Sequence, residues 1–158
     1  MVTFTARNLA DRFHKGLILK IESCGQGTWM DDGQIPTWVP WKIDIRRATF
    51  ALRYVLTDDR SLIRICSSFE LLGNGRGWHR FHYAYHYGPD PWDETNTLIR
   101  CDRDEINGDH VHLAPTPTDH IKATEVEPSA ADIDPLTFID LIKEYRKTKV
   151  PPFIRKER

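Results

Sequence analysis

Between residues 46 and 113 the chain is written largely in period two. RRATFALRYVL (46–56) sets Phe50, Leu52 and Tyr54 against Ala51, Arg53 and Val55, and SLIRICSSFELL (61–72) sets Leu62, Arg64 and Cys66 against Ile63 and Ile65. Such alternation fits a half-buried strand, because successive side chains leave opposite faces of a sheet. The polar TDDRS and the glycine-rich GNGRG read as hairpin connections. HRFHYAYHYG (79–88), the loop GPDPWDETN, TLIRCDRD (97–104), the turn ING and HVHLAP continue the series as consecutive antiparallel strands.

The period changes near the end. DIDPLTFIDLIKEYRK offers Asp134 as an N-cap and Pro135 at the first helical position, and Phe138, Leu141, Ile142 and Tyr145 form one helical stripe. At the other end, LADRFHKGLILKIES predicts a short amphipathic helix running into a strand that the CGQG turn terminates. Residues 25–41 (GQGTWMDDGQIPTWVPW) carry glycine, proline and three tryptophans without a period, so they read as a loop insertion docked on the domain. The architecture expected is α+β: one domain over 1–150, an antiparallel sheet of four to six strands, a packed C-terminal α-helix and a short N-terminal helix. PPFIRKER then reads as a basic, frayed tail over 151–158.

Composition narrows the classes. A chain of 158 residues, 40% hydrophobic and 28% charged, can bury a core of its own. Its net charge of −1 provides no overall field toward nucleic acid, so any RNA contact has to be local. Cys24, Cys66 and Cys101 are too scattered for a disulfide framework or a zinc ribbon and read as reduced, packed thiols. The start has no signal-peptide run and no stretch approaches the ~20 apolar residues of a membrane span. The expectation is a cytoplasmic protein without a membrane partner.

Candidate chemistry lies in the histidine strands. Strict alternation sends His79, Phe81, Tyr83, Tyr85 and Tyr87 to one face, and Trp78, Arg80, His82, Ala84 and His86 to the other. His110 and His112 share a face in HVH, and RCD sets Arg100 and Asp102 two residues apart. Two chemistries fit. An H-x-H pair presents two metal ligands, His110 and His112, with Glu70, Asp102 or His86 as the third. The other needs no metal and no cofactor. RNA cleavage by its own 2′-hydroxyl requires a base, an acid for the leaving 5′-oxygen and cations for the phosphorane charge. Histidine titrates in the right range and arginine forks onto phosphate. On this reading His86, Arg100, Asp102, His110, His112 and Glu70 are the candidate catalytic groups. Arg80, His82, Tyr83 and Tyr85 are the candidate RNA contacts, the tyrosines by stacking on single-stranded bases.

The order SLIRICSSFE, FHYAYHY, LIRCD, GDHVHL and a terminal PLTFIDLIKEY helix resembles the TumE family of toxins from prokaryotic toxin–antitoxin systems. The matching positions are Glu70, Tyr83, Tyr85, His86, Arg100, Asp102, His110 and His112, and the resemblance covers roughly 44–145. RDEING stands where the family carries a further N-H element. The resemblance implies a toxin, a metal-independent endoribonuclease, held inactive by a cognate antitoxin protein; it leaves a homodimer open. Two readings of other classes stand beside it: a metal-dependent hydrolase or cupin-like enzyme using HVH, and a non-catalytic protein-interaction module.

Overall fold

The computed structural model describes residues 3–10, 13, 15–30, 42–43, 46–73, 75, 77–113 and 116–157, with the backbone alone at 6, 10, 42–43 and 116–118. It is an α+β fold built on one antiparallel sheet. The long strands are β4 (Arg47–Leu56), β5 (Ser61–Leu71) and β6 (Trp78–Pro89), followed by β7 (Ile99–Asp104), β8 (Gly108–Leu113) and β9 (Thr116–Lys122). The spatial order is β2-β4-β5-β6-β7-β8-β9, where β2 is Gly27–Met30. Two short strands complete the nine: β1 (Thr3–Phe4) beside β6 and β3 (Lys42–Ile43) beside β4.

The sheet therefore has more strands than the four to six expected. β2 comes from the tryptophan segment, where GTWM carries no alternation, and pairs with Arg53–Leu56. The rest of that segment, 31–41 with Trp38 and Trp41, lies outside the described residues. β9 is polar and contains two residues of the apparent turn chemistry, Thr116 and Pro117. Backbone pairing at a sheet margin demands little of composition, and proline is tolerated there.

Helices cover one face. GLILKIE is not a strand but the helix α2 (Gly16–Glu22), after the short α1 (Ala6–Ala10). A brief apolar run is ambiguous between the two periods; here spacing by four wins, burying Leu17 and Ile21 completely while Leu19 is 71% exposed. α2 packs beside α3 (Pro135–Thr148), tied by Lys20 Nζ to Asp140 Oδ2 at 2.7 Å. α3 starts as expected: the Asp134 carboxylate accepts from the Leu136 N–H at 2.7 Å and Pro135 opens the first turn. Phe138, Ile139 and Ile142 are fully buried, while Leu141 and Tyr145 sit at the margin of the core.

Beneath these helices lie Phe50 and Leu52 of β4, Ile63, Ile65 and Phe69 of β5, and Tyr83, Tyr85 and Tyr87 of β6. Phe13 meets Phe4, Phe50 and Phe69 edge-on at 5.3, 5.7 and 4.9 Å between ring centres. The C-terminal segment is anchored rather than frayed. Phe153 is buried, and β11 (Ile154–Arg155) pairs with β10 (Val126–Glu127) in a separate ribbon. No helix among the described residues is long and apolar enough to cross a membrane.

Candidate functional site

The opposite face of the sheet holds the candidate chemistry in two rungs that run across neighbouring strands. One rung runs Arg64, His86, Arg100, His112 across β5 to β8; the next runs Cys66, Ala84, Asp102, His110, Lys122 across β5 to β9. Directly opposed residues share a face with their side chains close together, so a strand register alone brings these groups within reach. His86, Asp102, His110 and His112 are only 2%, 6%, 2% and 3% exposed.

Asp102 is the hub. Its Oδ1 lies 3.0 Å from His86 Nε2, and its Oδ2 accepts from Arg100 Nε at 2.6 Å and lies 3.4 Å from His112 Nε2. Burial pushes the carboxyl upward, but hydrogen bonds from His112 and His86 and the charges of His86 and Arg100 outweigh it. They hold the acid well below the usual carboxylate range. Asp102 is an anion at any pH at which the protein works.

His86 is held at both nitrogens. A carboxylate only accepts, so Nε2 carries the hydrogen; Nδ1 then faces the Arg64 Nη1 donor at 3.4 Å. Trp92, from the loop after β6, stacks on the ring at 5.1 Å and 8°, with Arg64 over the indole at 5.3 Å. Desolvation lowers the pKa of His86 despite its bond to Asp102. This imidazole positions Asp102 and has both nitrogens engaged, which leaves none for substrate.

His110 differs. Its Nδ1 donates to the Gly108 carbonyl at 2.8 Å, which leaves Nε2 as the acceptor of the neutral ring. That atom faces Asp102 Oδ2 at 3.8 Å and Asp104 Oδ2 at 4.0 Å. His112 stands beside it, and His120 of β9 closes the group: the three ring centres are 4.7–5.0 Å apart. One nitrogen from each of the three rings lies within 4.8 Å of the others. His120 is the exposed member, and partial desolvation and the charges of His112 and His110 lower its pKa.

His120 escaped the sequence reading, as did Arg64 and Trp92. A signal for His120 existed. TDHIK alternates, and a hairpin return from HVH places its histidine against the pair.

Other expected site residues lie elsewhere. A bulge opposite Ser68/Phe69 adds one residue to β6, so Ser68 faces His82 but Phe69 faces Arg80. Every side chain before Phe81 changes face. Arg80 is therefore on the helix-covered side, donating from Nη1 to Tyr85 Oη at 2.6 Å and lying 4.3 Å over the Tyr83 ring. Strict alternation had placed it with His86. Tyr83 and Tyr85 are fully buried on that same side and cannot stack on bases. His82 shares the face of His86 but lies four residues along the strand, roughly 13 Å away. Glu70 is exposed and stands six residues from Arg64, the partner of His86, or about 20 Å.

Beside Arg100 and His112 opens a cavity of about 390 Å³. Leu98, Leu113 and Tyr145 line it together with Pro151, Pro152 and Arg155 of the C-terminal segment.

No protein-family model, curated protein or solved structure matches this chain.

Proposed function

We propose that this chain is an RNA-cleaving enzyme and, following the motif order it shares with the TumE family, the toxin of a toxin–antitoxin pair. One observation carries the reading: a single buried carboxylate, Asp102, orders a guanidinium and imidazoles along one strip of sheet that ends at the exposed His120. A fixed anion that gathers several proton-active groups at one partly open point suits acid–base work.

In the reaction the 2′-oxygen attacks phosphorus and its proton passes to the imidazole group. The bond to the 5′-oxygen breaks, and that oxygen takes a proton as it leaves. The products are a 2′,3′-cyclic phosphate and a 5′-hydroxyl. Arg100 faces the phosphorane: Asp102 takes its Nε edge, so the terminal nitrogens are presented to phosphate oxygens. His110, His112 and His120 handle the protons as free imidazoles; were they ligands of a cation, a water on that ion would take the proton instead. His86 and Asp102 position these groups. The cavity beside Arg100 receives the adjoining nucleotide. The metal-dependent hydrolase of the sequence reading gains one observation of its own, the third imidazole.

The test is cleavage of labelled single-stranded RNA by purified protein, with the product ends identified. Wild type yields cyclic phosphate ends and His112→Ala does not. Folded wild type that leaves a mixed-sequence RNA pool intact would remove the ribonuclease reading. Growth arrest on expression, absent with His112→Ala and relieved by the product of an adjacent open reading frame, tests the toxin part separately.

A further inference from the structure

We propose that His110, His112 and His120 form a binding site for one divalent transition-metal ion of the zinc class, with Asp102 beside its open position. The argument begins with distances. His110 Nε2 is an acceptor in the neutral ring, yet it faces two carboxylate oxygens at 3.8 and 4.0 Å. Groups at such separations are too far apart to share a proton, since a side-chain contact beyond ~3.6 Å is not a hydrogen bond. The two carboxylates instead set negative charge around an unprotonated ring nitrogen, which is an environment that favours a cation there.

The three ring nitrogens lie within 4.8 Å of one another. A tetrahedral zinc holds its ligand nitrogens ~3.3 Å apart, so the widest pair has to close by roughly 1.5 Å. Exposed His120 can make that movement, whereas His110 and His112 are packed into the sheet. The Gly108 carbonyl fixes the tautomer of His110, as outer partners of ligand imidazoles do. The neighbouring carboxylates of Asp102 and Asp104 favour a cation. Solvent reaches the site at His120, which provides an entry path.

Three imidazoles with an open fourth position select a borderline ion and not magnesium or calcium, which prefer oxygen donors. The arrangement is that of a catalytic centre, where the fourth ligand is water. Such an ion would supply a bound water that ionises near neutral pH. Asp102 Oδ2, 3.4 Å from His112 Nε2, stands where it can accept a hydrogen bond from that water. The ion site does not depend on the substrate being RNA.

The experiment is Zn²⁺ titration by calorimetry, and Co²⁺ titration followed by visible absorption, on full-length protein freed of metal with chelator. Expected are one equivalent of Zn²⁺, the d–d bands of a four- or five-coordinate nitrogen site, and a rise in melting temperature. His120→Ala tests the assignment without touching the core. It should weaken Zn²⁺ binding by more than the ~10–100-fold that loss of an outer partner costs, and abolish the thermal shift. His79→Ala, on another part of the sheet, should bind as wild type. No stoichiometric binding, or a His120→Ala protein that binds as wild type does, would overturn the site. RNA cleavage on the same samples separates the two proposals. Zn²⁺ binding without cleavage supports the ion site and ends the ribonuclease reading. Cleavage that survives chelation in a protein without Zn²⁺ affinity does the reverse.

Discussion

Strand β6 buries polar groups on both faces, and the two faces do so by different chemistry. Under the helices, Arg80 is held by a tyrosine hydroxyl and an aromatic ring, and Tyr85 Oη also meets Ser67 Oγ at 3.1 Å. Burial pushes the Tyr85 hydroxyl up to about 12, against the nearby charge of Arg80, and raises Tyr83 further, helped by Asp109. Nothing in this set exchanges a proton near neutrality. On the opposite face, Asp102 meets imidazoles, the one side chain whose ordinary titration falls there. Buried polarity alone therefore does not mark a site. Groups able to change protonation or hold an ion, aimed at one point and open to solvent at one end, do.

Breaking each face in turn sharpens this contrast. The largest stability effect is expected for Asp102→Ala, which leaves the Arg100 guanidinium and its imidazole neighbours without their anion. The loss should be about 3–5 kcal/mol, measured by urea unfolding. A loss under ~1 kcal/mol would mean that Asp102 organises nothing.

Next comes Arg100→Lys, which keeps the charge but removes the planar fork. On the proposed ribonuclease reading, in which the guanidinium acts on charge that develops in the transition state, RNA turnover should fall by ~10²–10³ with RNA binding nearly unchanged. If the melting temperature falls and turnover of the folded protein does not, the Arg100–Asp102 pair only ties strands together.

On the other face, Tyr85→Phe removes the hydroxyl that serves Arg80 and Ser67. A cost of about 1–3 kcal/mol is expected, with RNA cleavage and Zn²⁺ affinity untouched. Changed chemistry in that variant would erase the distinction between the faces.

The smallest effect lies at the latch between α3 and the β4–β5 turn. Arg146 Nη2 meets Asp58 Oδ2 at 2.5 Å, and its Nη1 meets Asp59 Oδ2 at 2.8 Å and Tyr87 Oη at 3.2 Å. Partial burial raises Asp59, but the Ser61 hydroxyl and N–H, with the Arg146 charge, bring it below its ordinary value. A carboxyl whose pKa is depressed by folding contributes stability above its unfolded pKa, about 3.9, and loses it as pH falls through the folded one. Acid titration of stability should show a component below pH ~4 that Asp59→Asn removes. An unchanged acid limb in the variant would place that component elsewhere.

Legibility in the sequence followed the range of the interactions involved. Period two over β4, β5 and the second half of β6, and the capped stripe of α3, are local patterns. Each follows from which side chains can face a core at a fixed repeat, and the structure keeps them. The sharing of one face by His110 and His112, and by Arg100 and Asp102, is local in the same sense. The tertiary structure decided what depends on a partner strand or helix. One extra residue opposite β5 turned Arg80 inward, because a bulge is a property of a pair and not of a strand. Packing against α3 made GLILKIE helical, since a run that short buries its apolar residues equally well in either period. His120 joined the pair through β9, whose hairpin return hinted at the contact but whose register, with its irregularity near Val111 and Leu113, only the pairing fixed.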